Sequence, residues 1–209
     1  MSTDTPQRIL REKLRHKRTE LILETAEDVL GQKGYHGSSM DEIAARAGVS
    51  KGTLYQHFPT KEKLFFALIE HALVRFEQMV QQAASSSSNA REKLGHILSY
   101  IYGERRGAHS QLLRLLHANE DLNQQLWTTQ SPSRERLDQT IDQIRNILED
   151  GKAAGLFDTT ITTELMLQLF LNLLSLSGQG YLFSWDQETS AGVPAQLERF
   201  FFEGIQAHQ

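Results

Sequence analysis

The chain contains no cysteine. Disulfides, thiolate metal sites and cysteine nucleophiles are therefore excluded together. Its eight histidines show no H-x3-H spacing, so nothing suggests a metal held on one helix face. There is no Gly-rich phosphate loop, no G-x-S-x-G nucleophile turn and no recognisable acid pair. No enzymatic activity and no cofactor are expected on those grounds. Long apolar runs are also missing. The longest apolar-rich stretch, LMLQLFLNLLSL at 165–176, has 12 residues, against the ~20 needed to span a bilayer. The first 20 residues are polar and basic, unlike a signal peptide. A soluble cytoplasmic protein with no membrane partner is the expectation. Prolines number only four among 209 residues, and no strand-like alternation persists beyond a few residues.

What is present is helix-type apolar spacing almost everywhere, so the chain reads as all-α. Its charge is uneven. The whole carries a formal -4, yet residues 1–63 hold 11 basic against 9 acidic side chains. Six of those basic residues fall between Arg8 and Arg18. Such a cluster suits either a solvated tail or the basic front of a nucleic-acid binder on an acidic body.

The first helix is expected from about Arg18 to Lys33, with Ile22, Ala26, Val29 and Leu30 on one face and Gly34 as its stop. Residues 1–17 then form a basic arm. A second helix begins after Ser39, whose hydroxyl can cap it; Glu42 completes a capping box. Met40, Ile43, Ala44 and Ala47 make its apolar stripe. Gly48 supplies the left-handed backbone of a tight turn. Ser50 caps a third helix, Lys51 to about His57, in which Leu54 and Phe58 face the core. Pro59 ends it, and Thr60 caps a fourth helix running from Lys61 to Ala84. SSSSN at 85–89 is a low-complexity joint. Further helices are expected at about 90–103, 108–118, 120–151, 162–183 and 194–206. SPS at 131–133 starts, kinks or interrupts the third of these, and 186–194 reads as a surface loop.

Two short helices joined at Gly48 and packed on a preceding helix make a helix-turn-helix, which places its second helix in the DNA major groove. The side chains left outside suit that task. Lys51 can donate to guanine O6/N7 or to a phosphate, and the Thr53 hydroxyl and methyl can read a base edge. Gly52 permits close approach. Tyr55 and His57 can donate to phosphate oxygens. The helix starts near Ser39, Ser50 and Thr60 present free N–H groups, and Lys61 adds a charge there. Distant acidic residues are largely screened beyond ~8 Å in physiological salt, so the net charge does not forbid this contact.

The stretch ILETAEDVLGQKGYHGSSMDEIAARAGVSKGTLYQHFPTKEKLF, within residues 18–65, resembles the N-terminal domain of the TetR family of bacterial transcriptional regulators. The resemblance implies a DNA-binding domain at 18–60, a connecting helix at 61–84 and a ligand-binding, dimerising helical domain at 85–209, about nine helices in all. By position it implies DNA contacts from Ser39, Ser50, Lys51, Gly52, Thr53, Tyr55, His57 and Lys61. The family usually carries an aromatic or basic residue where Gln56 stands. It further implies a homodimer on double-stranded, palindromic operator DNA, and a small-molecule inducer.

In the body, LMLQLFLNLLSL is apolar almost all round, and Phe200, Phe201 and Phe202 in the last helix need more than one neighbour. Pairing of these two helices across a dimer is the favoured reading. His96, Tyr100, His117, Trp127, Met166 and Phe170, with Tyr181, are candidates to line a pocket for a small, largely apolar ligand; each also suits a core or surface position. The leading expectation is a ligand-released repressor. An activator or DNA-organising protein with the same domain stands beside it, and a helical interaction module is the reading from outside DNA binding.

Overall fold

The computed structural model describes residues 6–102, 124, 132–176 and 193–206. The described residues form eight helices. The expected helix at 108–118, the first part of that at 120–151, the end of that at 162–183, most of the 186–194 loop, and His117, Trp127 and Tyr181 lie outside them. The chain divides into two compact units, Met1–Glu70 and His71–Gln209. The boundary falls inside the helix Lys61–Ser85 rather than at either of its ends.

In the first unit α1 spans Pro6–Gly37. It starts well ahead of the expected Arg18, so the basic segment is helical rather than an extended arm. The physical reason lies in the residues themselves. Pro6 occupies the first turn, where a missing N–H costs nothing. No glycine or further proline follows before Gly31. Arg8–Glu12 at 3.6 Å adds an i,i+4 ion pair, a kind of contact worth a few tenths of a kcal/mol, and His16 lies 3.3 Å from Glu20 at the same spacing. Gly34, at φ 75° and ψ 172°, breaks the helical path where a stop was expected. Helices α2 (Met40–Arg46) and α3 (Lys51–His57) follow, then α4 (Lys61–Ser85). The core of this unit combines Ile22, Val29 and Leu30 of α1 with Ile43 of α2, Leu54 of α3 and Leu64 and Phe65 of α4, each at most 1% exposed.

The second unit contains α5 (Ala90–Tyr102), α6 (Pro132–Ala153), α7 (Thr163–Leu176) and α8 (Val193–Ile205). Pro132 opens α6, so SPS starts a helix. Helix α5 packs on α6 and α8, and α7 packs on the same two. Leu94, Ile97, Ile144, Leu148, Met166, Phe170 and Phe202 fill the space between them. The α6–α7 link is fastened to the end of α8: the Asp158 N–H donates to the Ile205 carbonyl at 2.8 Å, and Phe157 stacks on Phe202 at 6.3 Å between centroids.

The three phenylalanines of α8 divide as their spacing requires. Phe201 and Phe202 point into this core, while Phe200 is 78% exposed. Leu174 and Phe201, both on the helices expected to pair across a dimer, belong to the monomer core. Among the described residues of those helices, the large apolar side chains left exposed are Leu165, Leu169 and Phe200. Among the described residues no helix is long and apolar enough to cross a membrane.

The closest fit in this unit is at Gly151 of α6. A Cβ there would collide with the Phe157 ring and stand 2.9 Å from the Ala90 Cβ. Overpacking of a filled core costs about 1–3 kcal/mol. Gly151→Ala is therefore expected to lower the urea midpoint of unfolding by that amount of stability, with α-helical content below the transition unchanged. Unaltered stability would show that the Phe157 ring moves aside freely.

Candidate nucleic-acid interface

The α2–turn–α3 unit is fixed by its ends. The Ser39 hydroxyl accepts the Glu42 N–H at 3.2 Å, capping α2. The expected reciprocal arm of the capping box is replaced, because the Glu42 carboxylate takes Lys33 at 2.7 Å. Gly48 holds φ 65°, a left-handed conformation that costs an L side chain about 1–2 kcal/mol. Its neighbour's N–H, from Val49, closes the turn onto the Ala44 carbonyl at 3.0 Å. The Ser50 hydroxyl then accepts the Thr53 N–H at 3.1 Å, capping α3. Leu54 is fully buried and Phe58 is 7% exposed. With that side of a seven-residue helix committed, Lys51, Gly52, Tyr55 and Gln56 face solvent together. Thr53 is half-buried beside them, its Oγ1 2.8 Å from the Ser50 Oγ.

The remaining predicted contacts are engaged within the protein. The Lys51 ammonium forms an exposed ion pair with Asp41 of α2 at 2.5 Å. Lys61 turns inward: its ammonium donates to the carbonyls of Tyr35 and Ser38 and lies 4.4 Å from the Tyr35 ring centre. Burial lowers its pKa, partly offset by the Glu62 carboxylate. Two of its three donors are thus used to tie the end of α1 to the start of α4. The Tyr35 hydroxyl makes no hydrogen bond of normal geometry. Burial first, and the negative charge of Glu62 second, push its pKa up to about 12.

His57 meets α1, with Nδ1 2.9 Å from the Thr19 Oγ1. The Thr19 hydroxyl donates its one proton to the Arg15 carbonyl at 3.1 Å, so the ring's Nδ1–H is the donor and Nε2 carries the lone pair. Burial, then the positive charges of Arg15 and Arg18, hold His57 below its ordinary 6.5. Protonation of the imidazole is thereby disfavoured.

The surface is thus a short helix presenting hydroxyls, a phenol, an amide and an ammonium beside an arginine-bearing helix. At Gly52 no side chain covers its backbone. The sequence pattern of the bacterial regulatory proteins of the tetR family matches residues 22–68, the segment that builds this surface. The chain carries a TetR-family DNA-binding domain at residues 22–68. It is a helix-turn-helix, DNA-binding transcriptional regulator.

Relatives agree along different lengths. The uncharacterized HTH-type transcriptional regulator YhgD of Bacillus subtilis is 29% identical over 201 residues, 91% of this chain and 98% of that protein. The HTH-type transcriptional activator FasR of Mycolicibacterium smegmatis is 40% identical over 80 residues, 38% of this chain and 36% of its own. The HTH-type transcriptional repressor NicS of Pseudomonas putida is 28% identical over 137 residues, 65% of this chain and 64% of its own. In fold, the chain resembles the transcriptional regulator FadR of Bacillus subtilis solved in complex with stearoyl-CoA. The TM-score is 0.60 with 20% identity, over 90% of this chain and 100% of that one.

The pocket candidates of this chain do not all converge. Met166 and Phe170 are both fully buried in the core of the second unit. His96 and Tyr100 lie on the exposed side of α5. A cleft of about 210 Å³ beside Lys93, Ile147 and Leu156 contains none of these four. Asp41 and Thr19 also belong to this surface, and no local signal marks them. Each pairs with a residue on another helix, 10 and 38 positions away respectively.

Two predictions arise here. A DNA contact by Lys51 would have to break its pair with Asp41, and an exposed pair of this kind is worth about 0.2–1 kcal/mol. Asp41→Asn is expected to tighten operator binding by up to about fivefold in fluorescence anisotropy; weaker binding would mean that the pair positions Lys51 productively. His57 gives a pH signature. Its folded pKa is depressed, so the unfolded chain takes up the proton first and stability falls as pH drops below 6.5. Only well above 6.5, where neither state is protonated, does the group contribute no slope. In urea unfolding between pH 5 and 7.5, His57→Gln is expected to flatten the acid-side decline. An identical pH profile for both proteins would contradict the assignment.

Proposed function

We propose that the chain is a repressor that binds a palindromic operator as a homodimer and leaves it when a small, largely apolar ligand occupies the C-terminal unit. The observation that carries the reading is the outward face of α3. Lys51, Gly52 and Tyr55 stand exposed on a helix whose other side is locked by Leu54 and Phe58. Lys51 and Thr53 are assigned to base edges. Tyr55 is assigned to phosphates, with Ser39, Ser50 and the remaining donor of Lys61 at the flanks; His57, its Nδ1–H taken by Thr19, joins Tyr55 only with Nε2 protonated. One short helix reads too few base pairs for specificity, so two copies on two half-sites are required. The exposed Leu165, Leu169 and Phe200 supply an apolar surface for that pairing.

For the ligand, the support is the apolar composition of the C-terminal helices and the stearoyl-CoA bound by the FadR relative. A long acyl thioester is the class to try first. Met166 and Phe170 are the described residues assigned to its acyl end. His117 and Trp127 remain assigned by sequence alone, and His96 and Tyr100 are the rim candidates. The mechanism is a shift of population. If the ligand prefers a state with α4 tilted, two recognition helices no longer match successive major grooves ~34 Å apart. Activation is the second reading, because FasR, 40% identical over 80 residues, is an activator.

Anisotropy on a duplex selected from a randomised pool by the full-length protein tests these assignments. Lys51→Ala with Tyr55→Ala is expected to weaken specific binding by about 1–3 kcal/mol for each base pair no longer read, while helix content stays the same. Undiminished binding would remove α3 from the interface. Stearoyl-CoA should loosen the complex, and DNA must loosen stearoyl-CoA by the same factor; equal ligand affinity with and without DNA would exclude it as inducer. Phe200→Glu is expected to give a folded monomer in sedimentation, because that side chain lies outside the core; a dimer of unchanged affinity would place the pairing elsewhere.

A further inference from the structure

The basic segment ahead of the recognition unit is a helix with sides, and its arginines share one of them. At 3.6 residues per turn, Arg8, Arg11, Arg15 and Arg18 fall within about 80° of one another. All four positions are exposed. Lys13 and Lys17 project from the far side, about 140–180° away by the same count. Arg11, Arg15 and Arg18 have no acidic partner among the described residues. The arginine side is continuous with the recognition helix. Thr19, one step beyond Arg18, holds His57 at the end of α3, and Arg15 and Arg18 are close enough for their charge to act on that ring.

We propose that the arginine side of the α1 extension is a helical rail for the DNA backbone, lengthening the contact of each recognition unit into the duplex flanking its half-site. The proposal rests on the DNA-binding reading above and adds a second binding element to it. Charge complementarity selects the occupant. Duplex DNA presents one negative charge per ~1.7 Å of axis, and the rail from residue 8 to residue 18 is ~15 Å long at 1.5 Å per residue. Guanidinium groups in a row suit phosphates, which they can grip with two parallel N–H donors. No base is read by this element, so it adds affinity and salt dependence rather than sequence preference.

The test compares two pairs of substitutions on one helix. Arg11→Ala with Arg15→Ala removes two charges from the proposed rail. Lys13→Ala with Lys17→Ala removes two from the far side. Alanine favours helix at all four exposed positions, so both variants keep the fold, which circular dichroism verifies. Binding of the selected duplex is measured from 50 to 300 mM salt. The arginine pair is expected to reduce the slope of log K against log salt by about 1.8, at ~0.9 for each phosphate no longer neutralised. It should also shorten the hydroxyl-radical footprint at its outer edges. The lysine pair should change the slope by less than half as much and leave the footprint intact. Equal slope losses for both pairs would reduce the element to diffuse charge and overturn the rail, as would an unchanged slope for the arginine pair. If Lys51→Ala with Tyr55→Ala weakens binding while the arginine pair is silent, the rail alone fails. If the parent selects no duplex, the functional reading fails with it.

Discussion

Burial of Leu54 and Phe58 in the core formed by α1, α2 and α4 is the constraint on which the functional surface depends. A seven-residue helix has little stability of its own, since isolated helices shorter than ~12–15 residues are marginal in water. Helix α3 therefore exists because tertiary packing holds it. Fully burying a leucine or phenylalanine side chain stabilises by about 1.5–3 kcal/mol each, which exceeds what the Ser50 cap can supply alone, about 1 kcal/mol. The same two side chains fix rotation about the helix axis. Once Leu54 and Phe58 point inward, Lys51, Gly52 and Tyr55 have nowhere to go but outward. Gly48 makes the geometry reachable by taking the left-handed turn that joins α2 to α3.

Electrostatics at this surface is arranged by short contacts rather than by the overall charge. Asp41 occupies Lys51, backbone carbonyls occupy Lys61, and Arg15 and Arg18 help keep His57 neutral. Two lysines that look alike in the sequence thus have different jobs. Lys51 is held by a solvent-exposed carboxylate that a phosphate or guanine can displace cheaply. Lys61 is half-buried and bonded to two carbonyls that would lose their donor if it left. The free surface is quiet in charge at its centre, and three arginines of α1 at its edge have no acidic partner among the described residues.

Much of the recognition unit is legible in the sequence because its signals are local. Ser39, Ser50 and Thr60 cap helices within three residues of themselves, Gly48 and Gly34 have the backbone that only glycine adopts easily, and Pro132 opens a helix. What escapes a sequence reading depends on partners distant in the chain. Periodicity locates α7 and α8 but leaves open which apolar side chains face their own core. Leu174 and Phe201 face inward, while Leu165, Leu169 and Phe200 do not. Spacing points the Glu42 carboxylate at Ser39, yet Lys33 across the unit captures it. The helical extension before Arg18 is hidden for another reason. It buries nothing, so it has no apolar stripe facing a core. Its helicity rests on propensity, on i,i+4 pairs and on the absence of breakers. Of the pocket candidates, Met166 and Phe170 are interior positions, while the exposure of His96 and Tyr100 depends on how α5 turns against α6 and α8, which spacing alone does not fix.

The central claim is that the outward face of α3 reads base edges. A cycle of base-pair substitutions across the selected duplex, measured with the parent and with the Lys51→Ala, Tyr55→Ala protein, tests it most directly. In the parent, individual base pairs of each half-site should carry penalties of about 1–3 kcal/mol. The account predicts that at least one such penalty in each half-site collapses in the variant, because the side chain that detected the change is gone. If every penalty is the same in both proteins, sequence is read elsewhere and α3 serves only to grip the backbone.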